Sequence, residues 1–254
     1  GAMSAAAAAE RAAPSPPIAG LPRPVRLAAV RDENARTRTF VFDARLDAAA
    51  GQFAMLWLPG LDEKPFSLLD TDPVAFAVAA VGPFTRALHR CTVGDLVWLR
   101  GPLGTGFALS GDDHLLVGGG YGVAPLLLLA RRAAAAGHRV RTVIGARTAA
   151  ELLLVDASRA AGATVVVTTE DGSAGEAGRV TDPVGRWLAD DPPSTLYACG
   201  PHGMLAALQR QAAAAAVPAQ LSWEAYMRCG IGICGSCEHD GRLLCADGPV
   251  LATP

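Results

Sequence analysis

The chain has 254 residues, enough for one large domain or two to three small ones. Apolar residues make up 51% of it and charged residues 18%, which suits a globular protein with a substantial core. The formal charge of −2 offers no basic surplus for a nucleic-acid footprint, and no run of about 18 apolar residues occurs that would span a membrane.

Gly1-Ala2-Met3 reads as a tag-cleavage scar and residues 5–17 as a disordered Ala/Pro tail, without the cationic start or bulky apolar stretch of a signal peptide, so residues 1–20 are set aside. From 21 to 110 short apolar strands are punctuated by Gly and Pro, at 25–30, 39–42, 53–58, 66–69, 74–81 and 96–100. Strands this short predict a small β-barrel or sandwich. After Gly111 the rhythm changes. Strands at 115–117, 140–144, 165–168 and 196–198 alternate with helices at 124–136, 149–160, 184–188 and 204–215, the pattern of a parallel, doubly wound sheet over 111–216. The run 123–130 contains Pro125 and is followed by Arg131 and Arg132, so it is expected as a buried helix. The remainder, 217–254, is rich in Gly and Cys and reads as a small separate module. The expected fold is therefore multi-domain α+β: a β-barrel, an α/β nucleotide-binding domain and a cysteine module.

Four of the six cysteines fall within seventeen positions. Cys229, Cys234 and Cys237 have C-x4-C-x2-C spacing and Cys245 follows after seven intervening residues, the pattern of plant-type [2Fe–2S] ligation. The interleaved glycines suit a backbone that must wrap closely around a small anionic cluster, often at positive φ. A structural zinc site is the alternative, but zinc usually takes two short knuckles separated by a spacer. Clustered cysteines without a signal peptide favour metal ligation in a reducing cytoplasm. His239 lies inside the module and is expected to be exposed, since four cysteines complete the ligand set. Cys91 reads as a plain buried thiol.

Gly118, Gly119, Gly120, Gly122, Val123 and Pro125 belong to a loop that follows a predicted strand and opens a helix, where backbone N–H groups can meet a pyrophosphate. The loop lacks the strict G-x-G-x-x-G fingerprint, because Val123 occupies the last position; a tight strand–helix turn is the plainer alternative. Cys199, Gly200 and Pro201 end another strand, and ligands of open α/β sheets bind beyond the carboxyl ends of strands. Glu170 and Asp171 end a third: as ribose partners they would favour NAD over NADP, or they are solvated turn residues. In the barrel, Lys64, Pro65, Phe66, Ser67, Gly82 and Thr85 include a cation and hydroxyls suited to a flavin and its phosphate, although by residue type alone an ordinary barrel surface explains them better.

In this order the motifs resemble those of ferredoxin-NAD(P) reductase-type iron–sulfur flavoproteins, and within them look most like the electron transfer subunits of NAD-dependent dihydroorotate dehydrogenase. The resemblance spans 21 to the C-terminus and rests on Lys64-Pro-Phe-Ser67, the 101–107 segment, the 118–125 loop, Ala198-Cys-Gly-Pro201 and, most specifically, the segment from Cys229 to Val250. It implies an oxidoreductase with an FAD barrel, an NAD(H) domain and a [2Fe–2S] module, partnered by an FMN-containing catalytic subunit in pyrimidine biosynthesis. It implies FAD contacts from Lys64, Pro65, Phe66, Ser67 and Thr85, and nicotinamide-nucleotide contacts from the 118–125 loop with Cys199, Gly200 and Pro201. Three departures stand out: Lys64 replaces the usual Arg, the gap before Cys245 is short, and Tyr121 replaces an aliphatic residue. Alternative readings are a self-sufficient NAD(P)H reductase feeding another acceptor, and a zinc-stabilised module without enzymatic activity. No catalytic acid, base or nucleophile is expected.

Overall fold

Strand β1 (Arg23–Asp32) buries alternate residues, Val25 and Leu27, and so commits one face to a core. It pairs antiparallel with β2 (Thr37–Phe42) on one side, and in the same sheet run β3 (Phe53–Leu58), β4 (Asp62–Ser67), β5 (Asp70–Thr71) and β6 (Val74–Ala79). A one-and-a-half-turn helix, α1 (Pro83–Leu88), precedes β7 (Leu96–Leu103), giving the strand order β4-β3-β7-β1-β2-β6-β5. The sheet curls until Phe66 of β4 meets Phe76 of β6, ring centroids 6.4 Å apart, around a core of Leu27, Phe40, Phe42, Leu56 and Leu99. The computed structural model describes residues 21–253; the expected scar and tail of residues 1–20 lie outside them.

The second half builds the parallel sheet. Its elements are β8 (Asp113–Gly119), α2 (Val123–Ala135), β9 (Arg139–Ala146), α3 (Val155–Ala160), β10 (Thr164–Thr169), β11 (Glu176–Ala177), α4 (Thr181–Asp190), β12 (Thr195–Cys199), α5 (His202–Ala214) and β13 (Ala219–Ser222). Two short strands, β14 (Glu238–His239) and β15 (Arg242–Leu243), form a hairpin in the cysteine-rich region, and β16 (Val250–Thr253) closes the chain. The strand order is β11-β10-β9-β8-β12-β13-β16. It reverses between β8 and β12, the switch point at which doubly wound sheets leave a crevice.

Helix α2 is apolar on nearly every side because it is covered twice. Leu126 and Leu129 pack on the sheet, whereas Ala124 and Leu127 pack against Val41, Leu69 and Ala75 of the barrel. Arg131 adds an ion pair to Asp70 at 2.6 Å, and Arg132 donates to the Ala48 carbonyl at 2.6 Å. These part-exposed links contribute at most about 1 kcal/mol each, so the shared apolar face does most of the joining.

Three expectations change. The helix predicted over 149–160 is broken at Leu154, whose φ is +55°, and the break sets Leu153 into a buried cluster with Val123 and Ile144. The strand predicted at 66–69 begins four residues earlier, because β4 is an edge strand and tolerates Asp62, Glu63 and Lys64. The predicted boundary at 216/217 falls inside one sheet. β13 pairs parallel with β12, and β16 returns antiparallel to β13, so the cysteine-rich segment is an excursion between two strands of the nucleotide-type sheet. Among the described residues no helix is long and apolar enough to cross a membrane.

Candidate functional site

A cleft of about 250 Å³ opens where all three regions meet. The barrel supplies Pro65, Phe66 and Ser67 from β4, Ala77, Val78 and Ala79 from β6, and Thr85 from α1. The α/β sheet supplies Tyr121, Gly122, Ala124, Pro125 and Cys199, all at the switch point. The excursion after β13 supplies Trp223, Glu224, Ala225 and Met227. Such a cleft, apolar with a few polar groups, is the form expected of a cofactor site.

The glycines of the loop have distinct tasks. A Cβ at Gly122 would stand 2.3 Å from the Cys199 carbonyl oxygen, so only glycine lets the loop close onto the end of β12. Gly118 packs against Val123, and Gly119 against Met204 and Pro201. Gly120, at φ +56°, faces open space, as a backbone presented to a ligand must. Val123 is fully buried beneath the loop with Ile144 and Leu153, and Gly200 lies under Met204 beside Gly119. Pro201 caps α5.

Glu224 has no motif and escapes sequence reasoning, yet it is the carboxylate of this cleft. Burial holds its carboxyl above the usual range. Its charge in turn raises the Tyr121 phenol, and burial, followed by Glu224, pushes the Cys199 thiol up to about 12. Cys199 is thus a buried thiol whose ionisation is disfavoured, beside a carboxyl whose ionisation burial also disfavours.

The other predicted residues divide. Lys64 stands just outside the cleft, paired with Asp62 at 2.6 Å and 5.4 Å from the ring centroid of Tyr226. The Thr85 hydroxyl is engaged locally: it accepts the Val81 and Gly82 N–H groups at 3.0 and 2.9 Å, capping α1 with Gly82 as N-cap. Glu170 and Asp171 sit on an exposed turn beyond β10, away from the cleft lining, and Asp171 accepts from Ser173 N and Oγ at 3.0 and 2.6 Å. His239 departs from the expected exposure. Its imidazole stacks on Trp223 (4.5 Å) with His202 adjoining (5.8 Å), and the side chain is 17% exposed because the β14–β15 hairpin folds back over the cleft wall.

The four cysteines assemble as two pairs. Cys229 and Cys234 interact through their side chains, as do Cys237 and Cys245, and Cys229 also bears on Cys245. Among the described residues no three His, Cys, Asp or Glu side chains converge as for a single ion. Four gathered thiols match the ligand count of a binuclear cluster. Gly230, Gly232 and Gly235 all have positive φ, which keeps the loop tightly turned. Ile231 N points at Cys229 Sγ (3.5 Å), Gly232 N at Cys245 Sγ (3.1 Å) and Cys245 N at Cys237 Sγ (3.4 Å). Hydrogen bonding from Ser236 draws the exposed Cys234 thiol down to about 6, whereas burial pushes Cys245 up to about 11. Metal binding would deprotonate the latter. The donor set and the inward N–H groups therefore fit a [2Fe–2S] cluster.

A sequence profile for the iron–sulfur cluster binding domain of dihydroorotate dehydrogenase B matches residues 224–253, and one for an oxidoreductase NAD-binding domain matches 116–210. The probable dihydroorotate dehydrogenase B (NAD(+)) electron transfer subunit of Methanocaldococcus jannaschii is 40% identical over 89% of this chain and 87% of its own length. Its counterpart in Pyrococcus abyssi is 46% identical over 84% and 83%. Among solved structures, a chain of the NADH-dependent reduced ferredoxin–NADP oxidoreductase studied for flavin-based electron bifurcation superposes with a TM-score of 0.81. It is 29% identical and covers 90% of this chain and 87% of its own. The ferredoxin reductase of carbazole 1,9a-dioxygenase shares the fold at a TM-score of 0.68 and 21% identity, over 78% and 66%.

The glycine loop can be tested directly. Gly122→Ala forces the loop away from β12 and is expected to cost about 1–3 kcal/mol of stability and to weaken NADH binding. Gly120→Ala meets no neighbour and bears only the strain of its φ, about 1 kcal/mol. Thermal melts and NADH titration check this; equal losses in the two variants would contradict the assignment.

Proposed function

The chain belongs to the family of dihydroorotate dehydrogenase B electron transfer subunits, and from that premise we propose that the cleft is its flavin and nicotinamide site and the cysteine loop its electron outlet. It is an oxidoreductase subunit that binds FAD, NAD(H) and a [2Fe–2S] cluster and passes electrons to or from an FMN-containing dihydroorotate dehydrogenase partner. One observation carries the site assignment: Met227 lines the cleft and Cys229 follows two residues later, so inlet and outlet share one short segment.

A bound flavin would supply the link between two-electron hydride chemistry with nicotinamide and single-electron exchange with an iron–sulfur cluster. The chain's own residues position and insulate. Pro65, Phe66 and Ser67 on β4, with Thr85 on α1, form the flavin wall; Lys64 is poised at its mouth to exchange Asp62 for a phosphate. Gly118, Gly119, Gly120, Gly122, Val123 and Pro125, with Cys199, Gly200 and Pro201, form the nucleotide side. Glu170 and Asp171, beyond β10, are assigned to the adenosine end, where carboxylates favour a ribose hydroxyl over a 2′-phosphate. Glu224 is the carboxylate of the cleft lining. Cys229, Cys234, Cys237 and Cys245 would ligate the cluster.

The domains follow suit: a flavin barrel (21–110), a nucleotide domain (111–216 together with β13 and β16), and a cysteine module confined to the 223–249 excursion. The half-exposed cysteine set suits a reducing compartment, and the cytoplasm is the proposed location.

The purified chain is expected to show flavin absorption with a broad iron–sulfur shoulder, and to contain iron, sulfide and flavin. A colourless protein holding zinc instead would refute the proposal. The partner is expected to dock over the cluster rim, where Ile231 and Ile233 are 50% and 78% exposed. Ile233→Glu should weaken electron exchange with the catalytic subunit by tenfold or more, on the order of a lost interface anchor, and leave NADH–flavin chemistry intact. If both fell together, the rim would not be the interface.

A further inference from the structure

Arg100 is the most buried charged side chain between the barrel and the cysteine loop, 7% exposed, and nothing in the flavin or nucleotide site uses it. It lies on β7 and its partner Glu63 on β4, the two strands that flank β3: Met55 of β3 is in register with Arg100, and Trp57 with Glu63. The pairing is bidentate, Nε to Oε1 at 2.9 Å and Nη2 to Oε2 at 2.7 Å. The same Nη2 also donates to the carbonyl of Cys229, at 2.9 Å. The next residue, Gly230, has φ +66° and lies so close to the barrel that a Cβ there would stand 3.3 Å from both Leu103 and Met55. The first cysteine of the loop is therefore seated on the barrel by a buried, aimed guanidinium and a glycine that allows close approach.

We propose that the Arg100–Glu63 pair is a positioning and potential-tuning device for the iron–sulfur cluster: Arg100 anchors the Cys229 backbone and presents positive charge to the cluster, and Glu63 aims and offsets that charge. The inference rests on the cluster reading above. Lysine has three donors but no planar fork to grip a carboxylate through two parallel bonds while reaching a carbonyl beyond it, so the geometry selects arginine. The guanidinium is buried, so its charge is little screened, and Glu63, 24% exposed, is screened more. Adding an electron to the cluster adds negative charge, so a nearby cation favours the reduced form and a nearby anion the oxidised one.

The two halves of the pair must then act with opposite sign. In the full chain loaded with flavin, iron and sulfide, the cluster's midpoint potential is measured by anaerobic reductive titration followed by electron paramagnetic resonance. Arg100→Gln is expected to lower the potential and to speed iron loss to a chelator roughly tenfold, as for other residues that orient metal ligands. Glu63→Gln, which leaves the cation unbalanced, is expected to raise it, and Arg100→Lys to fall between wild type and Arg100→Gln. Should Arg100→Gln fail to fold by circular dichroism, the upward shift in Glu63→Gln carries the test alone. Potentials that move in the same direction in both variants, or do not move, would overturn the inference while leaving the cluster reading intact. A wild-type chain without iron and sulfide would overturn both.

Discussion

The ladder between β13 and β16 sets the place of everything that follows it. Ala219 to Ser222 pair antiparallel with Thr253 to Val250, and Trp223 N continues the ladder to the Pro249 carbonyl at 2.9 Å. Both ends of the 223–249 excursion are thereby tied to one edge of the parallel sheet. What lies between can only fold back over the crevice beside it. Thr105, just past β7, holds the returning end, its hydroxyl 3.2 Å from both the Asp247 and Val250 carbonyls. The excursion is thus gripped by sheet and barrel together.

From that constraint the site follows. The start of the excursion, Trp223 to Met227, becomes the third wall of a cleft whose other walls are the barrel and the switch point of the sheet. Its middle becomes the cysteine loop, where four positive-φ glycines, Gly230, Gly232, Gly235 and Gly241, keep the chain tightly turned. Cleft and cluster loop are successive parts of one tethered segment. Fast electron passage between two cofactors needs short, fixed separation, and a doubly anchored segment supplies it.

The sequence disclosed what is local. The cysteine spacing, the glycine loop and the alternation of strands and helices each declare their chemistry within a few residues, and the resemblance they support is borne out by the family to which the chain belongs. What depends on distant pairing stayed hidden. β13 and β16 have four residues each and acquire meaning only beside one another. Glu224 is a lone carboxylate until Tyr121 and Cys199 are brought to it, and Arg100 and Glu63 are 37 positions apart. Thr85 adds a task that its residue type did not disclose: its hydroxyl caps its own short helix while the residue lines the cleft. The burial of His239 could not be foreseen from its neighbours in sequence, because Trp223 and His202 arrive from other elements.

The central claim is that the cleft and the cysteine loop are the two ends of one electron path. The direct measurement is electron paramagnetic resonance of the fully loaded chain frozen after anaerobic mixing with NADH. The account predicts the signal of a reduced [2Fe–2S] cluster alongside bleaching of the flavin. A flavin bleached by NADH with the cluster left fully oxidised, although dithionite reduces it, would contradict the account.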